Sequence, residues 1–190
     1  MDWLGAHYRA NRVLREGLER FKDSERLHEK LRERVMRWRG PDGLEAAYKK
    51  MFGENARVAP FAGIASVKAA ELHRRRRAYE KALAAYGRAI GYYEKCARPD
   101  AAIALALAGR ARVAYELEDD ERALADVLAS FGRSPDTAGD RDGMNVTPGE
   151  TAQMLLARLR KDKKDALAAK LAAALDKIDP DLLAPDVGLR

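Results

Sequence analysis

Nucleophilic or acid–base catalysis needs a serine, cysteine or lysine beside a base, and the bases on offer are His7, His28 and His73, with Cys96 the single thiol. None of the three histidines stands in a recognisable catalytic motif. Glu25-x-x-His28 has the i, i+3 spacing of carboxylate-bridged di-iron bundles, but that chemistry uses the motif twice with two further glutamates, and the chain holds it once. His28 is therefore read as a solvated histidine on a helix face. Asp140-x-Asp142-Gly143 matches the middle of a calcium loop, yet Ala138 and Gly149 stand where its first and last ligands belong, so it reads as a turn. No glycine-rich phosphate loop, dinucleotide fingerprint or Walker motif occurs. The expectation is a non-enzymatic chain with no catalytic, cofactor-binding or metal-binding residue.

The cations are more informative. Arg74 to Arg77 form a run of four, and Arg37-Trp38-Arg39 interleaves an aromatic with two guanidinium groups, the ingredients of phosphate contact with base stacking. Net charge is +6, unevenly placed: residues 1–100 carry 23 Lys/Arg against 14 Asp/Glu, residues 101–190 carry 13 against 16. A basic half of this kind suits an acidic partner, or a contact between the halves.

The elements that position these groups are helical. Apolar residues are 47% and charged residues 35% of the 190, with few aromatic or β-branched residues, a palette for helices. The spacing predicts helices over about 2–21 and about 24–40, ended by Gly40-Pro41, then a short one from Asp42 to Met51. Pro60 and two glycines mark a boundary loop. From Ile64 to Ala97 a seam of Ala65, Ala69, Leu72, Arg76, Tyr79, Leu83, Tyr86, Ile90 and Tyr93 predicts one long helix, with a second seam of alanines beside it. On that phase Arg76 packs between helices against a carboxylate, while Arg74 and Arg77 are solvated and open to a partner. Gly87 and Gly91 fall on its outer ribbon, where something is expected to approach closely.

Further on, Pro99-Asp100 opens a helix to about Leu117, and Asp119-Asp120 opens the next, carrying Leu124, Val127 and Phe131. Residues 132–146 read as a long exposed loop. Thr147-Pro148-Gly149-Glu150 has the form of a capping box with proline at the first helical position, followed by two helices and an extended tail. The chain thus divides into a basic hairpin with a short helix (1–52), a central core (53–136) and a C-terminal hairpin with its tail (147–190). The fold expected is all-α, about eight helices in antiparallel hairpins around one long central helix.

Tyr79-Glu80-Lys81-Ala82, followed by Tyr86 and Ala89, resembles the second helix of a tetratricopeptide repeat. Leu117 to Leu124, followed by Val127, Ser130 and Pro135, resembles the turn and second helix of another, with Ala123 lying 41 residues after Ala82. The departures are the missing glycine at both turns, Arg110 and Ala114 in place of large residues, and a spacing longer than the family's 34. The resemblance covers about residues 63–136 and implies stacked helix pairs with a concave face for a peptide or protein.

The function expected is that of a helical adaptor or structural subunit binding another protein, with nucleic-acid binding through the basic half as the alternative and self-association as a further route. The partner-binding residues expected are Arg37, Trp38, Arg39, Arg74, Arg77, Gly87 and Gly91. One cysteine excludes an internal disulfide. With no signal-peptide core and no apolar run of about 18 residues, a cytoplasmic chain with no membrane partner is expected.

Overall fold

The computed structural model describes the backbone of residues 2–53 and 55–183, and the side chains of these except residues 2–7 and 56. Trp3, Leu4, Ala6 and His7 of the first expected helix, and the tail from residue 184 onward, fall outside the described side chains. Among the described residues the chain is helical with no strand. The helices are α1 (Asp2–Arg20), α2 (Glu25–Phe52), α3 (Ala59–Arg75), α4 (Tyr79–Tyr93), α5 (Asp100–Glu116), α6 (Asp120–Arg133), α7 (Pro148–Lys161), α8 (Asp165–Leu175) and the single turn α9 (Pro180–Leu183). The all-α fold of antiparallel hairpins is as expected. Among the described residues no helix is long and apolar enough to cross a membrane.

The long helix expected over 64–97 is instead the hairpin α3–α4. Arg76, Arg77 and Ala78 form the turn, with Arg77 left-handed at φ 58°. Ala78 N–H donates to His73 O at 2.9 Å and Arg77 N–H to Arg74 O at 2.8 Å, the paired bonds of a Schellman motif. Folding back is favoured because a straight rod leaves its alanine seams bare. In the hairpin Ala65, Ala69 and Ala70 of α3 and Ala82, Ala85 and Ala89 of α4 are wholly inaccessible. A left-handed arginine costs about 1–2 kcal/mol, which that burial offsets.

The same turn recurs twice. Asp119 N–H donates to Ala114 O at 3.0 Å around Glu118 (φ 61°), and Lys164 N–H to Leu159 O at 2.9 Å around Lys163 (φ 57°). Each turn leads into a helix whose fourth residue is a buried alanine: Ala82, Ala123 and Ala168. Three hairpins, α3–α4, α5–α6 and α7–α8, are thus closed in one way.

The central helix is α5. Ile103, Ala104, Ala106, Leu107, Ala108, Ala111, Val113 and Ala114 are buried around its circumference, the mark of a helix enclosed by neighbours. Its small residues set the spacing: a Cβ on Gly109 would fall 2.6 Å from the Tyr86 ring of α4. Beyond it, Leu124, Val127 and Phe131 of α6 share one core with Leu155 and Leu159 of α7 and Leu171 and Leu175 of α8.

At the other end, α2 bends at Gly40 (φ 66°), before Pro41, as the Gly-Pro signal requires. Its second half packs on α3, joining Leu18, Leu31, Leu44, Tyr48, Val58, Ala62 and Ala65 in a third core. His28 belongs to this core and is fully buried, contrary to the expected solvated position. Its Nε2–H donates to Lys22 O at 2.8 Å, its Nδ1 accepts from the Tyr48 hydroxyl at 3.1 Å, and its ring stacks on Phe61 at 3.9 Å. Burial lowers the His28 pKa and pushes Tyr48 up to about 12, so the pair is neutral.

Two smaller expectations change. Residues 132–146 are not wholly exposed: Pro135–Gly139 is a 3-10 turn with Thr137 and Ala138 buried, and Gly143 N–H donates to the buried Glu71 carboxylate at 3.1 Å. The described part of the tail is not extended, since Pro180–Leu183 is helical. The capping box is formed as expected, with Glu150 N–H donating to Thr147 Oγ1 at 3.0 Å and Thr147 N–H to Glu150 Oε2 at 2.9 Å.

Candidate functional site

The cations of the arginine run divide between two roles, and not as the unbroken helix implied. Arg74, on the last turn of α3, is buried, and its Nε and Nη2 donate to Glu116 Oε1 at 2.9 and 2.6 Å. It is a structural clamp between α3 and α5, not a group open to a partner. Arg76 is exposed at the turn instead of packed, because the helix that would have carried it inward ends at Arg75. Arg77 is exposed, as expected, although its backbone is spent on the turn. Arg75 donates from Nη2 to Gly143 O at 3.1 Å and holds the 140–146 loop. Asp142, in the calcium-like stretch, accepts from Met144 N–H at 2.8 Å and Val146 N–H at 3.0 Å, which makes it a turn residue.

Gly87 and Gly91 of α4 are half-buried. A Cβ at Gly87 would meet the Arg110 guanidinium at 3.9 Å, and one at Gly91 would meet nothing within 4 Å. No close neighbour explains either glycine, and they lie apart from Arg37, Trp38 and Arg39.

Those three residues sit on the first half of α2, all exposed, where α1 and α2 form a hairpin. The two helices pack tightly next to their turn, where a Cβ on Gly17 would lie 3.2 Å from Leu27 Cδ1. Beyond that point a groove of about 460 Å³ opens, floored by Ala10, Val13 and Leu14 of α1 and Leu27 and Trp38 of α2. Lys30, Glu33, Arg34 and Arg37 line its α2 side. Trp38, Leu14 and Arg34 also border a second depression of about 170 Å³, which adds Arg15, Arg39 and Lys50. The apolar surface is therefore continuous around Trp38. Four large apolar side chains of this hairpin face solvent: Tyr8 (73% exposed), Val13 (63%), Phe21 (61%) and Trp38 (55%).

The electrostatics follow from the rim. Six cations, Arg15, Lys30, Arg34, Arg37, Arg39 and Lys50, border the two depressions against one carboxylate, Glu33. Lys30 Nζ donates to Glu33 at 2.9 Å, and that bond, with Arg37 and Arg32 nearby, holds the Glu33 carboxyl below its usual range. Arg34 Nε donates to Asn11, which borders the second depression, and ties the two helices together beside the groove.

The chain has no match among protein-family models, curated proteins or solved structures. The groove on the N-terminal hairpin is therefore read from its own geometry. Sequence reasoning picked out Arg37, Trp38 and Arg39 and did not single out Val13, Leu14 and Leu27. The signal was present: α1 and the first half of α2 carry apolar residues on more of their circumference than one shared interface can cover.

Proposed function

We propose that the protein is a non-enzymatic helical adaptor that binds another protein through its N-terminal hairpin. The observation that carries this reading is the apolar groove of Val13, Leu14, Leu27 and Trp38 on one hairpin, bordered by cations, with Tyr8 and Phe21 exposed on the same hairpin. Contiguous apolar surface rimmed by polar groups is what interaction sites present, since leaving it wet costs about 25 cal/mol per Å². The tetratricopeptide-like reading of α3–α6 is part of the proposal. It is supported by the common turn of the three hairpins and the buried alanines that follow each, at offsets of 41 and 45 residues between Ala82, Ala123 and Ala168. On this reading α3–α8 form a rigid stack that holds the basic hairpin out at one end.

The second reading, nucleic-acid binding, is favoured by one observation, the exposure of Trp38 between two exposed arginines. A photo-reactive amino acid placed at residue 13 or 38 in the native host separates the two. Protein adducts from these positions, and none from the exposed position 170 on α8, are the expected result. Adducts to RNA or DNA, with binding of random single strands that falls steeply with salt, would replace the adaptor reading by the second. No adduct at 13 or 38 would overturn both.

A further inference from the structure

We propose that the groove around Trp38 seats an amphipathic helix of a partner protein, acidic along the side of its apolar stripe that faces α2. This rests on the adaptor reading and names the chemistry of the partner. The floor runs along α2 from Leu27 to Trp38, eleven residues apart, about 16 Å at 1.5 Å per residue, or about three helical turns. That length matches apolar side chains presented at i, i+3 or i+4, i+7 and i+11 by a helix lying in the trench, an extension of the usual way an amphipathic helix enters a groove. The volume of about 460 Å³ lies within the range of ordinary binding clefts.

Charge selects the orientation. Lys30, Arg34 and Arg37 line the α2 side of the groove, and Arg15, Arg39 and Lys50 border the adjoining depression, so an occupant turns carboxylates toward α2 and hydrocarbon toward Val13, Leu14 and Leu27. Residues 8–40 carry eleven Lys/Arg against six Asp/Glu, which adds a longer-range attraction of the same sign. Nucleic acid fits this layout less well, because its phosphates need cations where Val13, Leu14 and Leu27 lie. A second copy of the chain also fits poorly. Its acidic residues Glu118, Asp119 and Glu121 cluster at a turn, and the apolar faces of α6, α7 and α8 are already buried in one core.

The test uses the full-length protein at physiological salt and three labelled 18-residue peptides, followed by fluorescence anisotropy. One has leucines on a helical stripe with glutamates elsewhere, one has lysines in place of the glutamates, and one has the glutamate composition with its stripe scrambled. The stripe-and-glutamate peptide is expected to bind in the micromolar range, the other two at least about tenfold more weakly. Val13→Glu and Arg37→Glu, both at exposed positions where folding is undisturbed, are each expected to weaken it about tenfold or more. Lys170→Glu on α8 is expected to change nothing.

Failure of that peptide to bind, or binding indifferent to Val13→Glu, would overturn the proposal. So would a dimer dissolved by Val13→Glu in sedimentation, which would make the occupant a second copy, or binding of an oligonucleotide with the same sensitivity to Arg37→Glu. If the peptides fail while positions 13 and 38 still cross-link a protein, the acidic helix is wrong and the adaptor reading stands. If both fail, both fall.

Discussion

The Arg74 guanidinium reaches Glu116 with two of its nitrogens and is itself 8% exposed, so that carboxylate compensates its charge directly. Removing one partner of such a pair leaves the other half-buried and alone, a larger loss than the pair's net contribution. Arg74→Ala is expected to cost about 2–4 kcal/mol in urea unfolding, and Arg76→Ala, at an exposed turn, no more than about 0.5 kcal/mol. Equal effects would mean that the α3–α4 turn is misplaced. His28 sets a pH dependence by a different route. Burial depresses its pKa below the unfolded value of about 6.5, so the folded state holds it neutral while the unfolded state takes up a proton. Its contribution to stability is present above about pH 6.5 and is lost as pH falls below that toward the folded value. The melting temperature is expected to drop between pH 7 and pH 5, and His28→Gln to flatten the drop. An equal drop in the variant would assign the dependence elsewhere.

At the scale of elements, the three Schellman turns are built without glycine. Arg77, Glu118 and Lys163 hold φ between 57° and 61°, where a Cβ is strained. Glycine at each is expected to stabilise by about 0.5–1 kcal/mol in thermal or urea unfolding, the relief of strain exceeding the entropy lost from the unfolded chain. Valine at the same positions is expected to destabilise by more than about 1 kcal/mol, since β-branched side chains tolerate this region least. The turns are also tied sideways. Asp120, buried at the start of α6, accepts from Arg158 of α7 and from Lys164 at 2.7 Å, and Arg158 lies over the Tyr115 ring at 3.8 Å. Asp42 of α2 meets His73 Nε2 at 3.3 Å and Lys81 at 3.0 Å in the same manner.

For the whole molecule, stability is unevenly spread. Helix α5 is enclosed on every side, whereas Leu18 is the only fully buried side chain among the described ones of α1. Hydrogen exchange is expected to be slowest in α5 and at least about a hundredfold faster in α1, with the partner peptide slowing α1 and the first half of α2 selectively. Uniform protection across both helices would contradict the picture of a firm stack with a loosely held binding hairpin.

The local signals that need only a few neighbouring residues were legible in the sequence. Gly40-Pro41 bends α2, Thr147 to Glu150 cap α7, and Asp119 caps α6 through Arg122 N–H at 3.1 Å, because these are short-range bonds set by residue type. Helical periodicity identified α1, α5, α6, α7 and α8, ran α3 and α4 together as one helix, and placed Tyr79 to Tyr93 with two packed faces. It could not show that the helix stops at Arg75. Arg76, Arg77 and Ala78 are all acceptable helix residues, and the turn exists because folding back brings Ala70, Ala82, Ala85 and Ala89 into one core at zero exposure, a gain that a straight helix lacks. For the same reason the sequence assigned the outward arginine to position 74 and the inward one to 76, the reverse of what the broken helix produces. It named Arg37, Trp38 and Arg39 by their types. That Trp38 meets Val13 and Leu14 across an open groove was decided by the tertiary structure, through the tight contact of Gly17 with Leu27 and the bend at Gly40.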